Sequence, residues 1–329
     1  MALSGRFSFP YFQRSLAFAV LAAASAAVQA DEESDVFSLG QALFEAYAPA
    51  DIQAEFAMPT REQWDAFAAR LEKTRESGSF AELAAYETEA RAALLALRAL
   101  PDYQDYADWL AARLDEIAVA KDTTTPPPSD TPSAPAPSSP PTTPTPAPAP
   151  QVLAPGHDIP LYDVWVSRLR TRPRPARADE FLPLLKKSFA AEGIPVELVW
   201  IAETESTFNP RAKSPAGARG LFQFMPVTAK AQGLSLLPFD ERVNPEKSAR
   251  AAASLLRRLH GMFDSWPLAL AAYNGGEGRV RRTLKAQNAT TFAQIADALP
   301  TETRLYVPKV LATLAVREGL DPSALAAPK

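Results

Sequence analysis

The chain contains no cysteine and only two histidines among its 329 residues. The lack of cysteine excludes disulfides, thiolate metal ligands, a cysteine nucleophile and lipid attachment to an N-terminal cysteine. His157 lies at the edge of a proline-rich segment and His260 lies near a helix end, positions that favour structural or solvated roles. We therefore expect no bound metal and no cofactor, so that any chemistry has to come from carboxyl groups and their neighbours.

The first thirty residues lack an apolar run of about 20 residues, the length needed to cross a bilayer. They have instead a positive start with Arg6 and Arg14, a short apolar core at 16–24, and small residues before Ala30. This pattern predicts a secretory signal (1–30) that is cleaved after Ala30, with no transmembrane span afterwards. We expect a periplasmic protein, and retention of the segment as an anchor stays open.

Charge is divided unevenly along the chain, although the total is only −4. Residues 31–121 contain 8 Lys and Arg against 19 Asp and Glu, a net of −11, whereas 157–329 contain 24 against 17, a net of +7. A basic C-terminal half favours a polyanionic substrate or surface, and scattered arginines are the alternative. Nucleic acid is not expected as a partner, because export removes it and no basic-aromatic stripe is present.

The composition divides the mature chain into three parts. Residues 31–121 predict a small helical bundle of unknown role, with capping boxes such as Ser79 and Glu82 at helix starts. It carries no evident chemistry, and docking to a cell-wall or envelope protein is the functional alternative. Residues 122–157 are rich in Pro, Thr, Ser and Ala, and predict a disordered linker that holds the folded parts several tens of Å apart. Residues 158–329 predict a mainly α-helical domain.

Glu205 is the strongest candidate for a catalytic group. It ends a predicted helix over 195–206, where the negative end of the helix dipole disfavours a charged carboxylate. Apolar neighbours such as Trp200 and Phe208 would desolvate the carboxyl and raise its pKa further. Glu203 is two positions away, so the two carboxylates point about 160° apart and do not form a pair. A single glutamate prepared as a general acid is therefore expected.

Further helices are predicted on both sides of this segment. The spacing of apolar residues and the end signals predict helices over 179–192, 221–232, 244–263 and 266–273, and another that opens after Pro300. Pro226 is expected to disturb one of these helices and Pro308 to kink the last. The residues 274–278 are read as a loop that brings backbone amides close to a ligand.

Four short motifs occur in order in this half of the chain. They are Glu205-Ser206, Gly217-Ala218-Arg219-Gly220-Leu221-Phe222-Gln223, Ala271-Ala272-Tyr273-Asn274-Gly275-Gly276 and Glu302-Thr303-Arg304-Leu305-Tyr306-Val307. Together they resemble the soluble-type, goose-lysozyme-like lytic murein transglycosylases of glycoside hydrolase family 23. The resemblance covers roughly residues 178–318, and the last motif is most similar to the membrane-bound lytic transglycosylase D branch.

The resemblance implies a lysozyme-like α-helical catalytic domain that acts on peptidoglycan glycan strands. It makes Glu205 the catalytic acid and base, with Ser206 beside it. Gln223, Tyr273 and Asn274 would line the sugar subsites, and Tyr306 would lie close to the reacting sugar. The implied reaction cleaves the β-1,4 bond between N-acetylmuramic acid and N-acetylglucosamine, and leaves 1,6-anhydro ends without consuming water.

Two other functions remain open at this point. A lysozyme-type muramidase would hydrolyse the same bond but requires a second carboxylate, for which Asp240 and Glu277 are the candidates. A peptidoglycan-binding scaffold without turnover is the other, against which the intact Glu205 argues. Glu203 is interpreted as a helix-surface or salt-bridge residue, and Glu302 as structural at a helix start.

Overall fold

The computed structural model describes residues 61–98, 104–124 and 158–329. Every regular element within these ranges is helical, and β structure is limited to isolated bridges that Arg219 makes with Lys213 and Phe224. This confirms the prediction of a mainly α protein. The predicted signal segment and nearly all of the predicted linker lie outside the described residues. Within the described ranges, no helix is both long and apolar enough to cross a membrane.

The α-helices of the described residues are numbered in chain order. They are α1 Arg61–Ser77, α2 Phe80–Ala84, α3 Glu87–Arg98, α4 Gln104–Thr124, α5 Tyr162–Arg170, α6 Ala178–Ala191, α7 Ile201–Ser206, α8 Pro226–Ala231, α9 Pro245–Phe263, α10 Trp266–Gly275, α11 Glu277–Gln287, α12 Phe292–Ile295 and α13 Thr301–Glu318. A 3₁₀ helix, Val196–Trp200, leads directly into α7.

Helix α13 is the centre of the fold. Nearly all of its residues from Thr301 to Ala315 are buried, and it packs against α5, α7, α10 and α1. A helix that is buried all round needs partners for its polar side chains, and several of these lie at the site described below. Pro308 lies inside α13, and the helix continues past it to Glu318.

Several helix ends follow the predicted signals. The side chain of Asn244 accepts a hydrogen bond from the Lys247 amide at 3.0 Å and caps α9, with Pro245 in the first turn. Ser79 and Glu82 form the predicted capping box at the start of α2. The end of α6 is followed by Gly193 in a left-handed conformation, with φ of 72°.

Two predictions for the second half of the domain are wrong. The helix expected over 221–232 is shorter, because Arg219 and Phe224 exchange backbone hydrogen bonds of 3.2 and 3.1 Å that close a tight turn, and α8 begins only at Pro226. The loop expected at 274–278 is also mostly helical. Gly276, with φ of 87°, is the single break between α10 and an unpredicted helix, α11.

The four N-terminal helices pack directly on the rest of the protein. Arg75 pairs with Glu302 at 3.0 Å and Glu116 with Lys309 at 3.6 Å. The hydroxyl of Thr301 donates to a backbone oxygen of the α1–α2 turn. The expectation that a linker holds the two parts apart is therefore wrong for the described helices. Helix α4 also extends to Thr124, three residues into the predicted linker.

Candidate active site

Glu205 lies in the last turn of α7, where the chain leaves the helix through two successive left-handed residues. Thr207 and Phe208 have φ angles of 52° and 58°, which few residues other than glycine adopt. Backbone hydrogen bonds close the turn, since the Thr207 amide donates to Glu203 O at 3.0 Å and the Phe208 amide to Ala202 O at 3.1 Å. The Phe208 side chain is fully buried and holds this turn in place. The turn thereby sets the direction in which the Glu205 carboxyl points.

Tyr306, on the buried helix α13, contacts the Glu205 carboxyl. Its hydroxyl donates a hydrogen bond to Glu205 Oε1 at 2.7 Å. The pKa of Glu205 is raised to about 7, chiefly because burial penalises the charged form. The hydrogen bond from Tyr306 and the positive charges of Arg113 and Lys309 oppose this rise, and the charge of Glu302 adds to it. At neutral pH the carboxyl can therefore donate a proton and then accept one.

Glu203 points away from this contact and pairs with Arg317. The guanidinium donates to both Glu203 oxygens, at 2.9 and 2.7 Å, and both side chains are buried. It also donates to the backbone oxygens of Arg172 and Pro173, which ties the end of α13 to the chain after α5. The interpretation of Glu203 as a salt-bridge residue is confirmed, in a buried rather than a surface setting.

The turn over 217–224, which we call the glycine-rich loop, forms one wall beside Glu205. Gly220 has φ of 81°, and a Cβ there would lie 1.9 Å from Arg242 O. The Arg242 side chain donates to Gly217 O at 2.9 Å and so supports the loop from behind. The side-chain nitrogen of Gln223 donates to Gly220 O at 2.9 Å. The oxygen of the same amide can accept a hydrogen bond in the pocket that Gln223 lines with Glu205.

Ser206 joins α7 to the glycine-rich loop. Its hydroxyl lies 3.1 Å from Ala202 O and 3.0 Å from Leu221 O, and the residue is 8% exposed. The side chain lines the pocket next to Glu205, as its place in the motif requires. Its hydrogen bonds run to the protein backbone, so it fixes the distance between the acid and the loop.

Tyr273 and Asn274 lie near the end of α10. The Tyr273 hydroxyl donates to the backbone oxygen of Phe222 at 2.9 Å. Burial and the charge of Glu205 raise the pKa of Tyr273 well above its usual value. Asn274 donates to Glu302 at 3.0 Å, and its oxygen accepts from the Thr303 hydroxyl at 2.7 Å. Asn274 therefore ties α10 to the first turn of α13.

The two candidates for a second carboxylate are engaged elsewhere. Asp240 lies 2.7 Å from Arg242 and 3.3 Å from Arg219, and its pKa is lowered chiefly by the hydrogen bonds from Arg242. Glu277 pairs with Arg258 at 2.7 Å. Neither belongs to the described residues that line the pocket around Glu205. The carboxylate whose charge acts on Glu205 is Glu302.

His260, the histidine within the described residues, does not line the pocket around Glu205. His260 is buried against Trp266, with ring centroids 4.3 Å apart, which confirms a structural role. His157 lies outside the described residues. Among the described side chains, no group of three or more His, Asp or Glu is placed to hold a metal ion.

Residues of α4 that the sequence analysis did not assign to the site also line the pocket. Asp108, Trp109 and Ala112 lie across from Glu205, and the positive charge of Arg113 acts on its carboxyl. The sequence offers no signal for this contact. The aromatic residues of α4 fit a packing stripe equally well. The contact with the pocket around Glu205 arises only when α4 docks on the domain.

Comparisons with known proteins cover the part of the chain that contains the first three motifs. Residues 185–295 match the family model described as Transglycosylase SLT domain, which includes five of the six predicted site residues and ends before Tyr306. Membrane-bound lytic murein transglycosylase D of Escherichia coli (strain K12) is 39% identical over 142 residues, 41% of this chain and 31% of that protein. Peptidoglycan transglycosylase gp16 of Escherichia phage T7 is 44% identical over 119 residues, 35% of this chain and 9% of that protein.

The chain thus spans less than a third of the length of these two relatives. The solved structure of the 70 kDa soluble lytic transglycosylase of Escherichia coli is 20% identical and has a TM-score of 0.38. That similarity covers 96% of this chain and 63% of the other.

Proposed function

We propose, on the premise that residues 185–295 are a transglycosylase SLT domain, that the chain is a peptidoglycan lytic transglycosylase. Its substrate would be the glycan strand, and the bond cleaved would be the β-1,4 bond between N-acetylmuramic acid and N-acetylglucosamine. The basic character of residues 157–329 suits a polymer whose lactyl and peptide groups carry carboxylates. The predicted signal segment would place the protein in the periplasm, where this polymer lies.

The observation that carries the proposal is the contact between Glu205 and Tyr306. A carboxyl with a pKa of about 7 that accepts a 2.7 Å hydrogen bond is suited to general acid catalysis at neutral pH. It lies in a pocket that contains Gln223, from the second of the family's motifs. One such carboxyl is sufficient for internal capture. Hydrolysis with two carboxylates would need the second one in the pocket, where Asp108 of α4 is the other acidic residue among the described lining residues.

In the first step, protonated Glu205 gives its proton to the glycosidic oxygen that leaves C1 of N-acetylmuramic acid. The C1–O bond breaks, and the acetamido oxygen of the same sugar stabilises the positive charge at C1. Glu205 is now a carboxylate. The Tyr306 hydroxyl and the charges of Arg113 and Lys309 favour this charged form, because each of them lowers its pKa.

In the second step, the C6 hydroxyl of the same sugar attacks C1. Glu205 accepts the proton of that hydroxyl and returns to its starting form. A C6–O–C1 bond has replaced the bond to the leaving sugar, and no water is consumed. The product is a 1,6-anhydro end. Internal attack is faster than hydrolysis when the reacting groups are held close together.

The other site residues would hold the sugar for this attack. The side-chain oxygen of Gln223 can accept from a sugar hydroxyl or amide, since its nitrogen is engaged in the loop. Asn274 retains a second amide proton beyond its bond to Glu302. Tyr273 supports the glycine-rich loop from the α10 side. We propose that Gln223, Asn274 and Tyr306 orient the acetamido group and the ring.

The test is mass spectrometry of the muropeptides that the purified chain releases from murein sacculi. We expect products lighter by one water and without a reducing end, and no products from Glu205→Gln. The matched variant Glu277→Gln should release the same products as the parent. Products with a free reducing end would mean hydrolysis, and the absence of any product from the folded parent and from every folded variant would leave a binding scaffold as the function.

A further inference from the structure

The pocket around Glu205 is nearly filled by helix α4. Asp108, Trp109 and Ala112 of α4 form one wall, and the space between them and Glu205 is about 20 Å³. That space holds about one water molecule, whereas pockets for small organic ligands measure about 300–1,000 Å³. A space of this size is too small for a sugar ring, so a ring can enter this pocket only if α4 moves.

A second cavity lies on the other side of the contact that α4 makes with the domain. It measures about 400 Å³ and is bounded by α4 together with residues of α5, α7 and α13. Asp108, Ala112 and Thr207 belong to the walls of both spaces. If α4 were removed, the two spaces would join into one groove that passes Glu205. Helix α4 therefore occupies the volume that a glycan strand would need.

Ion pairs contribute to the contact between α4 and the domain. Asp115 of α4 lies 2.5 Å from Arg172, and Asp122 pairs with Arg168. Both arginines are about two-thirds buried by the contact, and they lie four residues apart at the end of α5. The acidic N-terminal half thus meets the basic half, and α4 brings carboxylates to the surface that an anionic strand would approach.

Two buried polar groups where α4 contacts the domain also lack hydrogen-bond partners among the described residues. Trp109 is 6% exposed and Thr204 is 6% exposed, yet the indole Nε1 and the threonine Oγ1 have no hydrogen-bond partner among the described residues. These two groups lie in the walls of the two spaces. A buried donor without a partner makes an interface less stable than one that is fully paired. The two unpaired groups therefore lower the stability of the docked position of α4.

We propose that α4 is an intrachain inhibitor, which covers the catalytic groove and has to leave it before a glycan strand can bind. The proposal rests on the proposed function, because it concerns the access of the same substrate to Glu205. Partly exposed ion pairs such as those of Asp115 and Asp122 are weakened by salt and contribute little each, so a polymer that competes for the basic surface can displace the helix.

The first test turns two attractive pairs into repulsive ones in the full chain. Asp115→Arg with Asp122→Arg places like charges opposite Arg172 and Arg168, which are outside the catalytic site. We expect release of muropeptides from sacculi to become about fivefold to tenfold faster. Adding Arg168→Asp and Arg172→Asp restores both pairs with swapped charges and should return the hydrogen exchange of the α4 amides, measured without glycan, to that of the parent. The matched control, Glu62→Arg with Glu180→Arg, makes the same charge change at exposed positions and should not alter the rate.

The second test follows α4 itself, in the Glu205→Gln variant that cannot turn over. Hydrogen exchange of the backbone amides of 104–124 is measured with and without glycan strands stripped of their peptides. We expect faster exchange across α4 when glycan is present. Unchanged or slower exchange, together with equal rates for the parent and the repulsive variant, would overturn the proposal and leave the proposed function standing. Faster exchange without product from any variant would refute the proposed function and retain the displacement of α4.

Discussion

The burial of Glu205 predicts that Glu205→Gln makes the folded protein more stable at alkaline pH. Raising a carboxyl pKa from its ordinary value of 4.5 to about 7 means that the folded state disfavours the carboxylate. One pKa unit corresponds to 1.36 kcal/mol, and partial exposure of the group allows some screening, so the cost is about 2 to 3 kcal/mol. A neutral amide of the same shape avoids this cost and can still accept the hydrogen bond from Tyr306.

The pH dependence of the effect follows from proton linkage. Between pH 4.5 and 7 the folded state holds a proton that the unfolded chain has released, so stability falls as pH rises. Above pH 7 the full cost is present, and below about pH 4.5 it is absent. The difference between variant and parent should therefore be small at pH 4.5 and reach about 2 to 3 kcal/mol at pH 8.

Urea unfolding of both proteins at pH 4.5 and pH 8, followed by circular dichroism, measures this difference. Glu203→Gln is the matched control, since it removes the same charge two residues away. It leaves the buried Arg317 without its partner and should destabilise the protein by about 3 to 5 kcal/mol. Equal stabilities of Glu205→Gln and the parent at both pH values would refute the argument that burial sets the pKa of Glu205.

Three substitutions at the site give further predictions. Tyr306→Phe removes the hydroxyl that favours charged Glu205, so the pKa of Glu205 rises above about 7. The alkaline limb of a turnover–pH profile should move to higher pH, and the rate should fall about tenfold or more. Gly220→Ala places a Cβ 1.9 Å from Arg242 O and should cost at least about 2 kcal/mol in thermal unfolding, together with most of the turnover. Gly217→Ala, with φ of 88° but no atom near the added carbon, should cost about 1 kcal/mol.

The helices of residues 158–329 could largely be predicted because their ends carry local signals. The end signals from Asn244 with Pro245 and from Gly193 act on residues only a few positions away. The helix ends that they set can therefore be predicted without knowledge of the fold. The helix expected over 221–232 was wrong for the opposite reason. Its first residues belong to a turn held by Arg242, which comes later in the chain and leaves no periodic pattern at the turn.

The candidate site was predictable in its residue types and not in its contacts. The motifs identified Glu205, Gln223 and Tyr306, and the expectation of a raised pKa at Glu205 agrees with its environment. The opposing contributions of Tyr306, Arg113 and Lys309 to that pKa come from other helices. They depend on how the helices pack.

We could predict from the sequence the helical class, the uneven charge of the two halves and the motifs on which Glu205 is proposed as the acid, because each of these is a local or additive property. The tertiary structure was needed to show that Glu203 is buried against Arg317, that Tyr306 reaches Glu205, and that α4 lines the pocket beside Glu205. These contacts join residues far apart along the chain. Their geometry follows from packing around the buried helix α13, and no single segment encodes it.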